Sequence, residues 1–230
     1  MADTSAAVDG VLPLISVRGT VTLEVDPEIA QLSVQVAARD KDRERTLRRL
    51  SDRQRAVRAV LESFGDAVDK LETSGIRVRP ELHGKRAGEK VAGYVGAVRT
   101  LVTVSDFTVL GDLVVRVGDE EMTSVDGPWW SLRTDSPVYT RARQEAVRDA
   151  LTRAREYAAA VGSRLTGLRE LADTGLTAGP RHDMASFGAM APAPAGVAAG
   201  GPPPLDLDPA TQHVSAQVEA RFTATPPALD

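Results

Sequence analysis

The stretch "ISVRGTVTLEVDPEIAQLSVQVAA", residues 15–38, decides the fold class. Ile15, Val17, Val21, Leu23 and Val25 fall on odd positions. Strict alternation of apolar and polar residues is the signature of a half-buried strand, because successive side chains point to opposite faces. Gly19 interrupts the run, and a bulge or bend is expected there. "DPEIA" at 26–30 reads as a turn. Leu32, Val34, Val36 and Ala38 then alternate again, so the two strands are expected to pair as a hairpin.

Working outward, the period changes. Leu47, Leu50, Val57, Leu61 and Phe64 recur at helical spacing over 41–64, with Asp40 expected to cap the start and Gly65 the end. "LETSGIRVRPEL" (71–82) and "VAGYVGAVRTLVTV" (91–104) read as strands joined through the glycine-containing tip "HGKRAGEK". Asp106 is placed to cap a short helix over 107–117, with Phe107, Leu110, Val114 and Val117 facing inward, and a strand follows over 122–133. Ser136-Pro137 opens a long helix reaching Val161, because proline suits the first helical position. Ala142, Ala146, Ala150, Ala154 and Ala158 form a stripe small enough to let that helix lie close on a sheet, and Gly162 closes it. Arg141–Glu145 and Asp149–Arg153 are i,i+4 charge pairs on the same helix.

A strand over 164–173 precedes an Ala-, Gly- and Pro-rich segment, 177–210, which reads as a flexible loop or linker. Val214, Ala216, Val218, Ala220 and Phe222 then alternate, so the chain is expected to return to the fold after that loop. The expectation is an α+β protein with helices packed on a largely antiparallel sheet. Residues 14–174 with 213–224 form the domain, which is divisible into two subdomains near 105. Residues 1–13 form a flexible N-terminus and 225–230 a tail.

The order and spacing of "ISVRGTVTLEVDPEIAQLSVQV", "LETSGIRVRPEL", "GYVGAVRTLVTVSD" and "ARQEAVRDALTRAREYAAAVGSRLTGLREL" resemble the SIMPL domain family over residues 14–224. That family, long described as a domain of unknown function, includes bacterial periplasmic immunogenic proteins. The resemblance implies an α+β fold with antiparallel sheet, no established enzymatic activity, and oligomers or envelope association in some members. This chain departs from the family pattern by Glu28 after Pro27 and by Leu82 where an aromatic is common. It also shows none of the export signals common in the family. Asp3 and Asp9 stand where such a signal would be basic, so the expected location is cytoplasmic, with the cell envelope as the alternative.

Composition narrows function further. The chain has 230 residues, no cysteine and a net charge of −4, which exclude disulfides and thiolate catalysis and give no whole-chain field favouring a nucleic-acid partner. His83, His182 and His213 are scattered, with no metal-ligand spacing and no H-E-x-x-H. Neither a phosphate loop nor a G-x-S-x-G elbow occurs. The expectation is therefore no enzyme, no cofactor, no metal and no membrane span, with self-association or an unidentified protein partner.

Two features remain as interaction candidates. Trp129 and Trp130 are neighbours in the 122–133 strand and must face opposite sides, so Trp130 is the core anchor and Trp129 the interface residue. No pocket is implied for either. Pro128 places that strand at an edge or a bulge. The alternative is a polyanion face on the 41–64 helix, formed by Arg43, Arg45, Arg48, Arg49, Arg53, Arg55 and Arg58. Interspersed acids and the lack of stacking aromatics favour an ordinary solvated face there.

Overall fold

A computed structural model describes residues 12–83, 90–173 and 207–228. The tip at 84–89, most of the 177–210 loop and the first eleven residues lie outside the described residues. The architecture is α+β, with two antiparallel sheets. In chain order the elements are β1 (Leu14–Val25), β2 (Ile29–Asp40), α1 (Arg43–Glu62), β3 (Val68–His83), β4 (Lys90–Val104), α2 (Leu110–Gly118), β5 (Thr123–Ser131), α3 (Pro137–Ala160), β6 (Leu165–Asp173) and β7 (Gln212–Ala224).

The chain forms two compact units, one from 26–133 and 207–212, the other from 12–25, 134–173 and 213–228 among the described residues. The division does not fall near 105. β4, β2 and β5 are neighbours in one sheet, so the chain on either side of 105 shares a core. The expected β1–β2 hairpin is also overturned: β1 belongs to the three-stranded sheet β1-β7-β6 and β2 to the four-stranded sheet β3-β4-β2-β5. Alternation fixes which face of each strand is apolar but carries no information about its partner, and the three residues between Val25 and Ile29 carry the chain from one unit to the other.

The first unit follows the order β2-α1-β3-β4-α2-β5 with sheet order β3-β4-β2-β5. This is the split βαββαβ arrangement of ferredoxin-like folds. Ala30, Leu32, Val34, Val36 and Ala38 face the helices from β2, and Val98, Val102 and Val104 from β4. They meet Leu50, Val57 and Leu61 of α1 and Leu110, Leu113 and Val117 of α2 in one core. Helix α1 starts two residues later than its periodicity suggests. Its cap is Asp42, whose Oδ1 accepts the Arg45 N–H at 2.9 Å, while Asp40 accepts the Asp42 N–H at 3.0 Å. Asp106 does act as a cap, but of a 3-10 turn over Phe107–Val109 that leads into α2.

The second unit lays α3 along β1. The alanine stripe is buried as its spacing requires, and Ser136 caps the helix with Pro137 in its first turn. Gly19 owes its place to this packing. A Cβ there would stand 2.0 Å from the Ala146 carbonyl oxygen and 2.7 Å from the Ala150 Cβ. β7 is the central strand, and Val214, Val218, Ala220 and Phe222 are buried, so the chain does return to the fold by residue 212.

Candidate interaction surfaces

The tryptophans divide as the strand geometry demands. β5 is an edge strand, and its pairing with β2 shifts register between Gln31 and Ser33, opposite Gly127 and Pro128. Gly127 has φ +117°, and a Cβ there would meet the Gln31 carbonyl oxygen at 2.8 Å, so glycine is required. Trp130, in register with Ala30, packs on the core and stands edge-on to Phe107 with ring centroids 4.9 Å apart. Trp129, in register with Gln31, faces the other way and is 51% exposed. Sequence reasoning gave it no pocket; the fold sets it on the wall of a shallow groove across the sheet face opposite the helices.

The arginines of α1 are brought onto one helix, but most are already engaged. Arg45 and Arg49 reach Asp40 at 3.1 and 3.4 Å, and Arg48 reaches Glu44 at 3.6 Å. Arg53 bonds both Glu121 and the Ala37 carbonyl, the latter at 2.9 Å. Arg55 pairs with Asp52 and Arg58 with Glu62. Of the seven, only Arg43 has no ion pair among the described residues. Such exposed pairs add little stability, yet they cancel the field that a phosphate backbone would need.

The titratable groups that depart from ordinary behaviour do structural work. The Asp42 N–H, and then the Arg45 and Arg49 guanidiniums, hold the Asp40 carboxyl below the usual range. Ser105 chiefly, with Arg133, does the same for Asp69, and the Thr108 hydroxyl and N–H for Asp106. Asp149 is lowered by the Thr20 N–H, which it accepts at 2.8 Å, and by Arg153. None of these carboxyls lines any of the four main grooves among the described residues. Among the described residues no group of three His, Asp or Glu is placed to hold a metal ion, and no helix is long and apolar enough to cross a membrane. His213 lies 3.9 Å from Glu24 at the surface; His182 and the His83 side chain lie outside the described residues.

One surface was missed by sequence reasoning. β6 is the other edge of the three-stranded sheet, and it carries Leu165, Leu168 and Leu171 at a three-residue spacing. In a regular strand that spacing would scatter the leucines over both faces. Here the β6–β7 pairing shifts register between Leu165 and Gly167 and again between Leu168 and Glu170. The two irregularities place the leucines opposite Ala224, Phe222 and Ala220 in turn, and these β7 residues are all buried. All three leucines therefore share the face on which α3 lies. Because α3 follows β1 and barely reaches β6, Leu168 and Leu171 remain 57% and 47% exposed. With Val147, Leu151 and Phe222 they line an apolar groove of about 420 Å³.

These features define a class: an α+β protein of two antiparallel sheets whose prominent surfaces are an apolar ledge and an open sheet face. The particular family follows from comparison. The chain belongs to the SIMPL family, described as a protein of unknown function (DUF541), whose model matches residues 15–222. A search of curated proteins found no match.

Proposed function

We propose that this chain is a non-enzymatic, self-associating scaffold, and that the β6 ledge is where copies meet. The observation that carries this reading is a set of three leucines turned onto one face by two strand irregularities, two of which, Leu168 and Leu171, are left exposed beside α3 among the described residues. Solvated apolar surface of this kind favours a partner at roughly 25 cal/mol for each Å² removed from water. A second copy is the partner that brings the same ledge, and a two-fold contact between identical patches closes after two chains. The bonded, structural character of the four perturbed carboxyls among the described residues supports the non-enzymatic part of the reading. Its expected setting remains cytoplasmic, with the envelope as the alternative.

The test is the solution mass of the intact chain by light scattering, beside Leu168→Asp and Trp129→Ala. The parent and Trp129→Ala should form a discrete multimer, and Leu168→Asp should be monomeric with an unchanged circular-dichroism spectrum. A parent that is monomeric at all concentrations, or a Leu168→Asp variant that assembles like the parent, overturns the proposal.

A further inference from the structure

Among the described residues one face of the four-stranded sheet carries no helix, and that face collects unneutralised cations around an aromatic. Core residues Leu32, Val34 and Val98 point toward α1 and α2, so the residues next to them along each strand point away. The outward set includes Ser33, Gln35 and Ala37 of β2, Val95, Ala97, Arg99 and Leu101 of β4, Arg77 and Arg79 of β3, and Trp129 of β5. Together they line an open groove of about 750 Å³.

The electrostatics of this face differ from those of α1. Arg77 and Arg79 have no ion pair among the described residues, and Arg99 has no carboxylate partner but a 3.3 Å bond to the Gln35 side-chain oxygen. Of the carboxylates on the same face, Glu72 is paired with Lys70 and Glu81 with Arg39. Asp126, opposite Ser33, is the remaining acid there among the described residues, and it lies at the tryptophan end. The floor is flat and small, with Ser33, Ala37, Ala97 and Gly75 beneath any occupant. Gln35 supplies a hydrogen-bonding group along it.

The geometry points to this face as a binding surface for single-stranded nucleic acid. Three guanidiniums at one end supply phosphate contacts, and a half-exposed indole at the other supplies a stacking platform for a base. Arg77 and Trp129 are separated by three strands across and six residues along the register, about 25 Å apart by strand geometry. That span holds about four extended nucleotides, a common site size for one small module. A βαββαβ sheet with one open face is also the platform that RNA-recognition modules use, although a shared arrangement is only an analogy. An extended acidic protein segment would satisfy the arginines but would leave the indole unused.

The test is fluorescence anisotropy of a labelled single-stranded oligothymidine with the intact protein, beside its duplex and inorganic polyphosphate as competitors. Single-strand binding is expected to fall with salt at a log–log slope of about −2, as three phosphate contacts require. Trp129→Ala should weaken it about tenfold and Trp129→Phe should retain most of it. Arg77→Glu with Arg99→Glu should abolish it, while Arg43→Glu on α1 should leave it unchanged. Melting curves establish that each variant is folded. Equal affinity for duplex or polyphosphate with no effect of Trp129→Ala would show a plain anion surface and overturn the proposal. No binding at low salt, or a larger loss from Arg43→Glu than from the sheet arginines, overturns it equally.

Discussion

The two units solve the same problem with different amounts of material. In the four-stranded unit, two helices cover one sheet face, and Leu and Val side chains fill the layer between them. In the three-stranded unit, as far as it is described, one helix covers a sheet that is wider than it, and its closest approach is made by alanines against a glycine. A helix is about 10 Å across and strands lie about 4.8 Å apart, so one helix covers roughly two strands. Two helices therefore suffice for four strands, while one helix on three leaves a strand over. The strand left over is β6, and its Leu168 and Leu171 are the surplus apolar surface.

This contrast predicts unequal responses to substitution. The largest is Gly19→Ala. The new Cβ would collide with α3 backbone, which cannot rotate away as a side chain would, and the cost should be about 3 kcal/mol or more. A urea-denaturation midpoint close to the parent's would show that α3 does not sit as tightly as described. Next is Trp130→Ala, which removes the ring packed on Phe107 and the larger core; a loss of about 3 kcal/mol is expected by the same measurement.

A smaller effect is expected for Asp149→Asn, which weakens the tie between α3 and the Thr20 N–H by about 1 kcal/mol at neutral pH. Its pH dependence has a definite sign. The Asp149 carboxyl is held below its ordinary value of 3.8 in the folded chain, so its contribution is complete above that value and is lost as pH falls through the folded one. The parent should lose stability below about pH 4, with Asp40, Asp69 and Asp106 acting in the same direction. Asp149→Asn should show a shallower acid limb in melting temperature against pH; an identical limb would count against the Thr20 contact. The smallest change in stability is expected for Leu168→Asp, within about 0.5 kcal/mol when both proteins are compared as monomers at high dilution, because the side chain is already exposed within the chain.

Much of this was legible in the sequence. The alanine stripe, the Ser136-Pro137 start and the opposite facing of Trp129 and Trp130, with Trp130 on the core, all follow from period and local chemistry, and the structure places them as read. The partners of β1 and β2 were not legible, since an apolar strand face fits any sheet of matching length. The cap of α1 was misassigned because Asp40 and Asp42 are equally competent, and the choice is made where β2 stops pairing with Tyr94 of β4. The β6 ledge was hidden by its own construction. A three-residue leucine spacing matches no regular strand period, and register irregularities depend on the partner strand. A leucine triplet inside an otherwise polar strand was the available signal.

The central claim is that the ledge meets its own copy, and the absence of cysteine makes a direct measurement simple. Leu168→Cys and Trp129→Cys place single thiols at sites of similar exposure, 57% and 51% in the parent. Treated with a short bismaleimide at low protein concentration, Leu168→Cys should give a covalent dimer rapidly and Trp129→Cys only slowly. Equal rates for the two variants would mean that the ledge is ordinary surface, and would contradict the account.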